Sequence, residues 1–156
     1  MKSVLFVLAV MLATPNFAAD TPAFSPVPSA PTASEQIGTA RQAIERKNWS
    51  RAQSDLKSLV RDEPTNADAH NLLAYTYRKQ DKPDLAKAFE HYKTALKLNP
   101  QHKGAHEYIG EAYLMDRKPD MAEQHLASLE KICGNRQCEE YRDLAKSLAA
   151  YRKSNP

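Results

Sequence analysis

Two cysteines, five histidines and several neighbouring carboxylates are the residues of this 156-residue chain whose types could carry chemistry. Cys133 and Cys138 stand in the segment Cys-Gly-Asn-Arg-Gln-Cys, a C-x4-C spacing. Such a pair can close a short disulfide, act as a redox couple, or supply two metal ligands. Catalytic dithiols generally use C-x-x-C beside a βαβ pattern, and neither is present here, so the redox and metal readings are the weaker ones. His102 and His106 lie four apart and could share a helix face, the minimal geometry for a metal pair. No third ligand falls at a diagnostic spacing, and zinc takes three or four. His70, His91, His102, His106 and His125 therefore read as surface or groove histidines. No serine sits in a nucleophile elbow, and there is no H-E-x-x-H and no glycine-rich phosphate loop among the four glycines. Glu139 and Glu140 read as ordinary helix-start acids. The expectation is a protein that is not an enzyme and holds no cofactor.

Which fate the cysteines meet depends on compartment, and the first residues speak to that. Met1-Lys2-Ser3 carries one positive charge, Val4 to Ala13 is unbroken apolar sequence, and Ala18 and Ala19 follow. This is the layout of a secretory signal peptide over residues 1–19. Ten apolar residues would rise only about 15 Å as a helix, half of a bilayer core, so membrane insertion is not expected. Phe17 or Asn16 falls three residues before the candidate cleavage points, which leaves a retained leader as the alternative. The expected location is periplasmic or secreted, where a lone pair of cysteines forms a disulfide. A loop this short would gain about 2 kcal/mol by closure. The net charge of +3 falls to about +2 without Lys2, too balanced to argue for nucleic acid.

Residues 20–33, DTPAFSPVPSAPTA, hold four prolines and no helical or strand period, which reads as an extended tether. From Thr32 the composition turns helical, and Thr32-Ala33-Ser34-Glu35 fits a capping box. No alternating strand pattern occurs, so the fold class is all-α. Residues 33–66, 67–102 and 103–136 repeat one another. Ala40, Ala52, Leu56, Leu59 and Pro64 in the first answer to Ala74, Ala88, Tyr92, Ala95 and Pro100 in the second. In the third the series is Gly110, Ala122, Leu126 and Leu129. Lys82-Pro83-Asp84 recurs as Lys118-Pro119-Asp120, which places the two extra residues of the second segment between Asp84 and Ala88. A small residue at each helix crossing would let paired helices approach, and a large one four later would fill the space between repeats. Pro64 and Pro100 would stop the second helix. Tyr141, Leu144, Ala145, Leu148 and Tyr151 form one apolar face of a further helix, about 138–152, that would cap the array.

These residues resemble the tetratricopeptide repeat (TPR) family, and also small exported bacterial TPR proteins with a cysteine pair before a last helix. The resemblance implies a right-handed α-solenoid of three helix pairs plus a C-terminal capping helix, a domain over residues 34–153. It implies too that the first helix of each repeat lines a concave groove. Carried over by position, that groove takes Ile37, Arg41 and Ile44 from the first repeat. Asn71, Tyr75, Arg78 and Lys79 come from the second. Glu107, Tyr108, Glu111, Leu114 and Met115 come from the third. Half-buried tyrosines here serve either as anchors for a peptide or as packing between repeats. TPR proteins that clamp a chaperone's terminal carboxylate use lysine and asparagine where this chain has Ile37 and Arg41, so that activity is not implied. The expected role is an exported adaptor binding a peptide or helix of another envelope protein. A self-associating homo-oligomer is the alternative, followed by a redox or metal carrier.

Overall fold

The computed structural model describes residues 30–155, so the signal peptide and most of the tether lie outside the described residues. Seven helices follow in order: α1 (Ala33–Glu45), α2 (Trp49–Asp62), α3 (Ala67–Lys79), α4 (Leu85–Leu98), α5 (Lys103–Met115), α6 (Pro119–Cys133) and α7 (Glu139–Ser154). No strand occurs among the described residues. Each start has a local cause. Thr32 Oγ1 accepts from the Glu35 amide while Glu35 Oε2 accepts from the Thr32 amide, a complete capping box. Asn48, Asn66 and Asp84 each accept from the amide three residues on. His102 does the same for Ala105 through its imidazole. Pro119 opens α6 at a position where no amide hydrogen is needed.

The helices stack as α1–α2, α3–α4 and α5–α6, with α2 against α3 and α4 against α5. Ala40, Ala52, Ala74, Ala88 and Ala122 are wholly buried at these contacts. Around them Leu56, Leu59, Leu73, Tyr92, Ile109 and Leu129 fill the interior. None of the helices among the described residues is long and apolar enough to cross a membrane.

Three details depart from the sequence reading. The extra pair of residues in the second repeat lies in the turn between α3 and α4, not after Asp84. Asp84 is the N-cap of α4, whereas the N-cap of α6 is Lys118. Pro83 thus precedes its helix while Pro119 begins one, since proline suits both places and the recurring Lys-Pro-Asp is out of structural register. The shorter turns of the outer repeats close through left-handed residues, Lys47 at φ 56° and Arg117 at φ 58°; the longer one needs none.

Leu126 is only partly buried, unlike Leu56 and Tyr92, which are fully enclosed. Those two are covered by the first helix of a following repeat. Among the described residues there is α7 alone behind α6, and α7 lies more along α5 than along α6. Gly110 explains the tilt. A Cβ there would stand 2.6 Å from Leu144 Cδ2, so the missing side chain admits α7. Leu144 and Leu148 are the buried residues of the cap; Tyr141, Ala145 and Tyr151 are partly exposed.

Cys133 and Cys138 are joined by a disulfide with Cα atoms 6.2 Å apart, spanning the end of α6 and the N-cap of α7. Gly134, at φ 69°, turns the chain between them. Glu140 lies within 4.8 Å of both sulfurs, but bonded sulfurs offer no thiolate to a metal.

Leu129→Ala should cost about 2–5 kcal/mol through a core cavity, and Leu126→Ala clearly less, as read by urea denaturation. The reverse order would contradict this packing. Reducing the disulfide should raise amide exchange in α7 while α1 to α4 keep their protection. An equal rise throughout would show that the bond supports the whole array.

Candidate functional site

The first helices of the repeats, α1, α3 and α5, together with α7, present their outer sides to one face. On it the sequence-derived candidates separate into three groups. Tyr75 and Tyr108 form the centre, with ring centroids 4.9 Å apart and planes tilted by 54°. Both are partly buried. Burial pushes the Tyr75 hydroxyl above its ordinary range, and burial followed by the Glu107 carboxylate pushes Tyr108 up to about 12. Both therefore stay neutral hydrogen-bonding phenols at physiological pH.

Arg78 and Glu111 lie beneath them and are already engaged. The guanidinium sits 5.3 Å from the Tyr75 centroid and 5.6 Å from that of Tyr108. Its Nη1 is 2.7 Å from Glu111 Oε2, and its Nε donates to the Tyr92 hydroxyl at 3.3 Å. Glu111 Oε1 accepts from Ser147 on α7. Arg78 is only 5% exposed, so it works as the floor that holds the tyrosines, linking α3, α4, α5 and α7. The TPR pattern puts it on this face without revealing that its charge is used internally.

The remaining candidates occupy the rims. Arg41, Lys79 and Met115 are exposed. Arg41 and Ile44 join Leu72, Tyr75 and Tyr108 around a depression of about 160 Å³. Lys79 borders a wider one of about 530 Å³ with Trp49, and Met115 another of about 500 Å³ between α5 and α7. Leu114 is buried. Asn71 and Glu107, also buried, line a further depression of about 310 Å³ beside the start of α7.

The histidines hold the clearest departure from the sequence reading. His102 and His106 do not meet over a shared face. His102 caps α5, and its Nε2 lies 3.0 Å from Asp68 but out of line for a hydrogen bond. His106 is buried, with Nδ1 2.9 Å from His125 Nδ1 and Nε2 3.0 Å from the Pro100 carbonyl. The second repeat has the same device: His70 Nδ1 is 3.0 Å from His91 Nδ1, and His70 Nε2 is 3.1 Å from the Pro64 carbonyl. A carbonyl only accepts, so His70 and His106 donate through Nε2 and receive at Nδ1 from His91 and His125. Tyr77 stacks on His91, and Tyr113 on His125. Gln36, at the matching place in the first repeat, donates to the Pro31 carbonyl. The signal was in the sequence: His70, Tyr77 and Pro64 recur 36 residues on, and His91 recurs 34 on.

The class of protein this architecture defines is a stack of helix-turn-helix repeats. Models of the tetratricopeptide repeat match residues 56–88 and 84–135. The chain belongs to the tetratricopeptide repeat family. No curated protein matches it in sequence. Among solved structures it is similar to the first TPR of Spaghetti (RPAP3) bound to the HSP90 peptide SRMEEVD. That match has 17% identity and a TM-score of 0.62, covering 75% of this chain and 93% of that one. It is similar also to the type III secretion translocator chaperone SycD of Yersinia enterocolitica. There the identity is 13% and the TM-score 0.66, over 78% of this chain and 83% of that one. A thermophilic TPR protein of Thermus thermophilus shares 20% identity at a TM-score of 0.66, over 79% of this chain and 65% of that one. At these identities the likeness establishes the fold.

Burial holds His91 and His106 below the ordinary value of 6.5, and burial with the neighbouring His106 brings His125 to about 4. Below pH 6.5 the unfolded chain takes up protons that the folded one refuses. The histidine contribution to stability should therefore fall as pH drops from about 6.5 to about 4, then level off. Thermal melting at pH 7.5 and pH 5 checks this, and His91→Gln with His125→Gln should shrink the difference. Because the raised Glu107 carboxyl acts in the opposite direction over the same window, the double variant is the deciding comparison, and an unchanged pH dependence in it would contradict the histidine linkage.

Proposed function

We propose that this chain is an exported, non-catalytic adaptor whose concave face holds an extended or helical segment of another cell-envelope protein. The observation that carries the reading is the Tyr75–Tyr108 pair. Two partly exposed aromatic rings meet at the centre of the face, fixed from below by a buried arginine and flanked by open depressions. Rigid aromatic anchors beside polar rims are what peptide recognition uses, because little side-chain entropy is lost on binding. The RPAP3 repeat similar to this chain was solved with a peptide, and SycD is described as a chaperone, which supports protein binding as the mode. Ile37 and Arg41 argue for a ligand unlike the carboxylate-ended tail. Export is supported by the charged, apolar and small-residue order of residues 1–19, and by a disulfide that reducing compartments disfavour.

The test is crosslinking in the native envelope with the chain from residue 20 onward, followed by identification of what is captured. A defined partner should be recovered, and Tyr75→Ala with Tyr108→Ala should lose it by tenfold or more while helix content is unchanged. Recovery of this chain alone would replace the adaptor reading with self-association.

A further inference from the structure

The depression beside the start of α7 is unlike the rest of the face. Its walls are Asn71 from α3, Glu107 and Tyr108 from α5, and Glu140 and Asp143 from α7, around about 310 Å³. Glu107 is only 8% exposed, and no hydrogen bond or ion pair within 4.0 Å holds it among the described residues. Asn71 is 4% exposed, and its side-chain carbonyl oxygen has no partner. A sealed amide oxygen left unpartnered is costly to the folded chain, whereas the Glu107 carboxyl, on a largely buried residue, has no protein partner and opens on the depression. The helix dipole accounts for Glu139 and Glu140 in the first turn of α7. It accounts for neither Glu107, nor Asn71, nor Asp143 in the second turn.

We propose that this depression is a subsite for a basic side chain, lysine in the first instance, carried by the segment bound along the groove. The inference rests on the groove being a peptide site. Its chemistry is complementarity: the Glu107, Glu140 and Asp143 carboxyls on the walls offer acceptors, and an ammonium is all donors. A bare metal ion fits less well. Among the described residues the only three ligating groups within 4.8 Å of one another are Cys133, Cys138 and Glu140, so the carboxylates here are too spread for direct coordination of one ion. An organic cation spans such distances through its hydrogens. Tyr108 and Leu72, which also line the depression, can cover a lysine's methylene stem. Arg41 on the α1 side is the basic group among the lining residues, at the far rim and exposed.

Binding there should be tied to a proton. Burial, then Glu111, Asp143 and Glu140, push the Glu107 carboxyl up to about 8, with Arg78 pulling the other way. Arg41 and His102 are the further chargeable groups on the walls, with Glu139 at the mouth. Before a ligand arrives, Glu107 is thus mostly protonated at pH 7, and an incoming ammonium displaces that proton. Affinity should rise from pH 6.5 to 8.5, where lysine stays charged.

The experiment is an NMR titration of the folded chain with Nα-acetyl-lysine amide and with its uncharged counterpart, Nα-acetyl-norleucine amide. The lysine compound should shift the amides of Gly104, Glu107, Tyr108 and Asp143 along a saturating curve, with affinity at least threefold higher at pH 8.5 than at 6.5. Glu107→Gln should weaken it at least fivefold and abolish the pH dependence. Asp143→Asn, at an exposed position that leaves folding alone, should weaken it as well. Equal shifts from the norleucine compound, no saturation, or indifference to both variants would overturn the subsite. So would calcium ions producing the same shifts at lower concentration, since that marks a metal site. A partner captured through Tyr75 and Tyr108 that binds Glu107→Gln unchanged would defeat this inference while leaving the groove reading intact.

Discussion

Each helix pair in this chain has an apolar side that it cannot cover itself, and the array exists because the next pair covers it. That constraint sets how near the helices must come. Ala40, Ala52, Ala74, Ala88 and Ala122 are fully buried, and any larger side chain would push apart the helices that enclose Leu56 and Tyr92. The constraint also needs an end. After the third pair α7 takes the covering role, admitted by the bare Cα of Gly110 and joined to α6 by the disulfide.

The same stacking makes the candidate site. Bringing α3, α4, α5 and α7 together encloses Arg78, whose charge has to be met inside. Tyr92, Glu111 and the two groove tyrosines meet it. A buried charge removed from its partners is strongly unfavourable, so this network ties the position of Tyr75 and Tyr108 to correct stacking of the repeats. Groove geometry and fold stability are in this sense one quantity. At the other end of the groove the balance is not closed: the Asn71 side-chain oxygen is sealed without a partner, and the largely buried Glu107 is met by no other side chain. Polar groups in a stable fold are normally satisfied, and their concentration at one depression gives the face its direction, from an aromatic centre to an acceptor-rich end.

Much of the site was legible in the repeats. Carrying the TPR pattern over onto them places Tyr75, Tyr108, Arg78 and Glu111 on one side. Their division into exposed anchors and an internal ion pair was not legible, because burial depends on which neighbour closes over a position. The histidines show the opposite failure. Read along the helix, the five were surface or groove histidines; read across repeats, buried His70 with His91 and buried His106 with His125 are two copies of one bond. The repeat was the right ruler, and the helix period was the wrong one for that question.

By itself the sequence determined the all-α class, the helix start at Thr32, and the stacked-repeat architecture. Capping and periodic burial are local rules that act within a few residues. Tertiary structure alone decided that α7 leans on α5, that Leu126 stays partly open, and that the extra residues fall in the α3–α4 turn. It also decided that Glu107 is buried unpaired. These outcomes turn on contacts between residues far apart in the chain, whose distances no local pattern encodes.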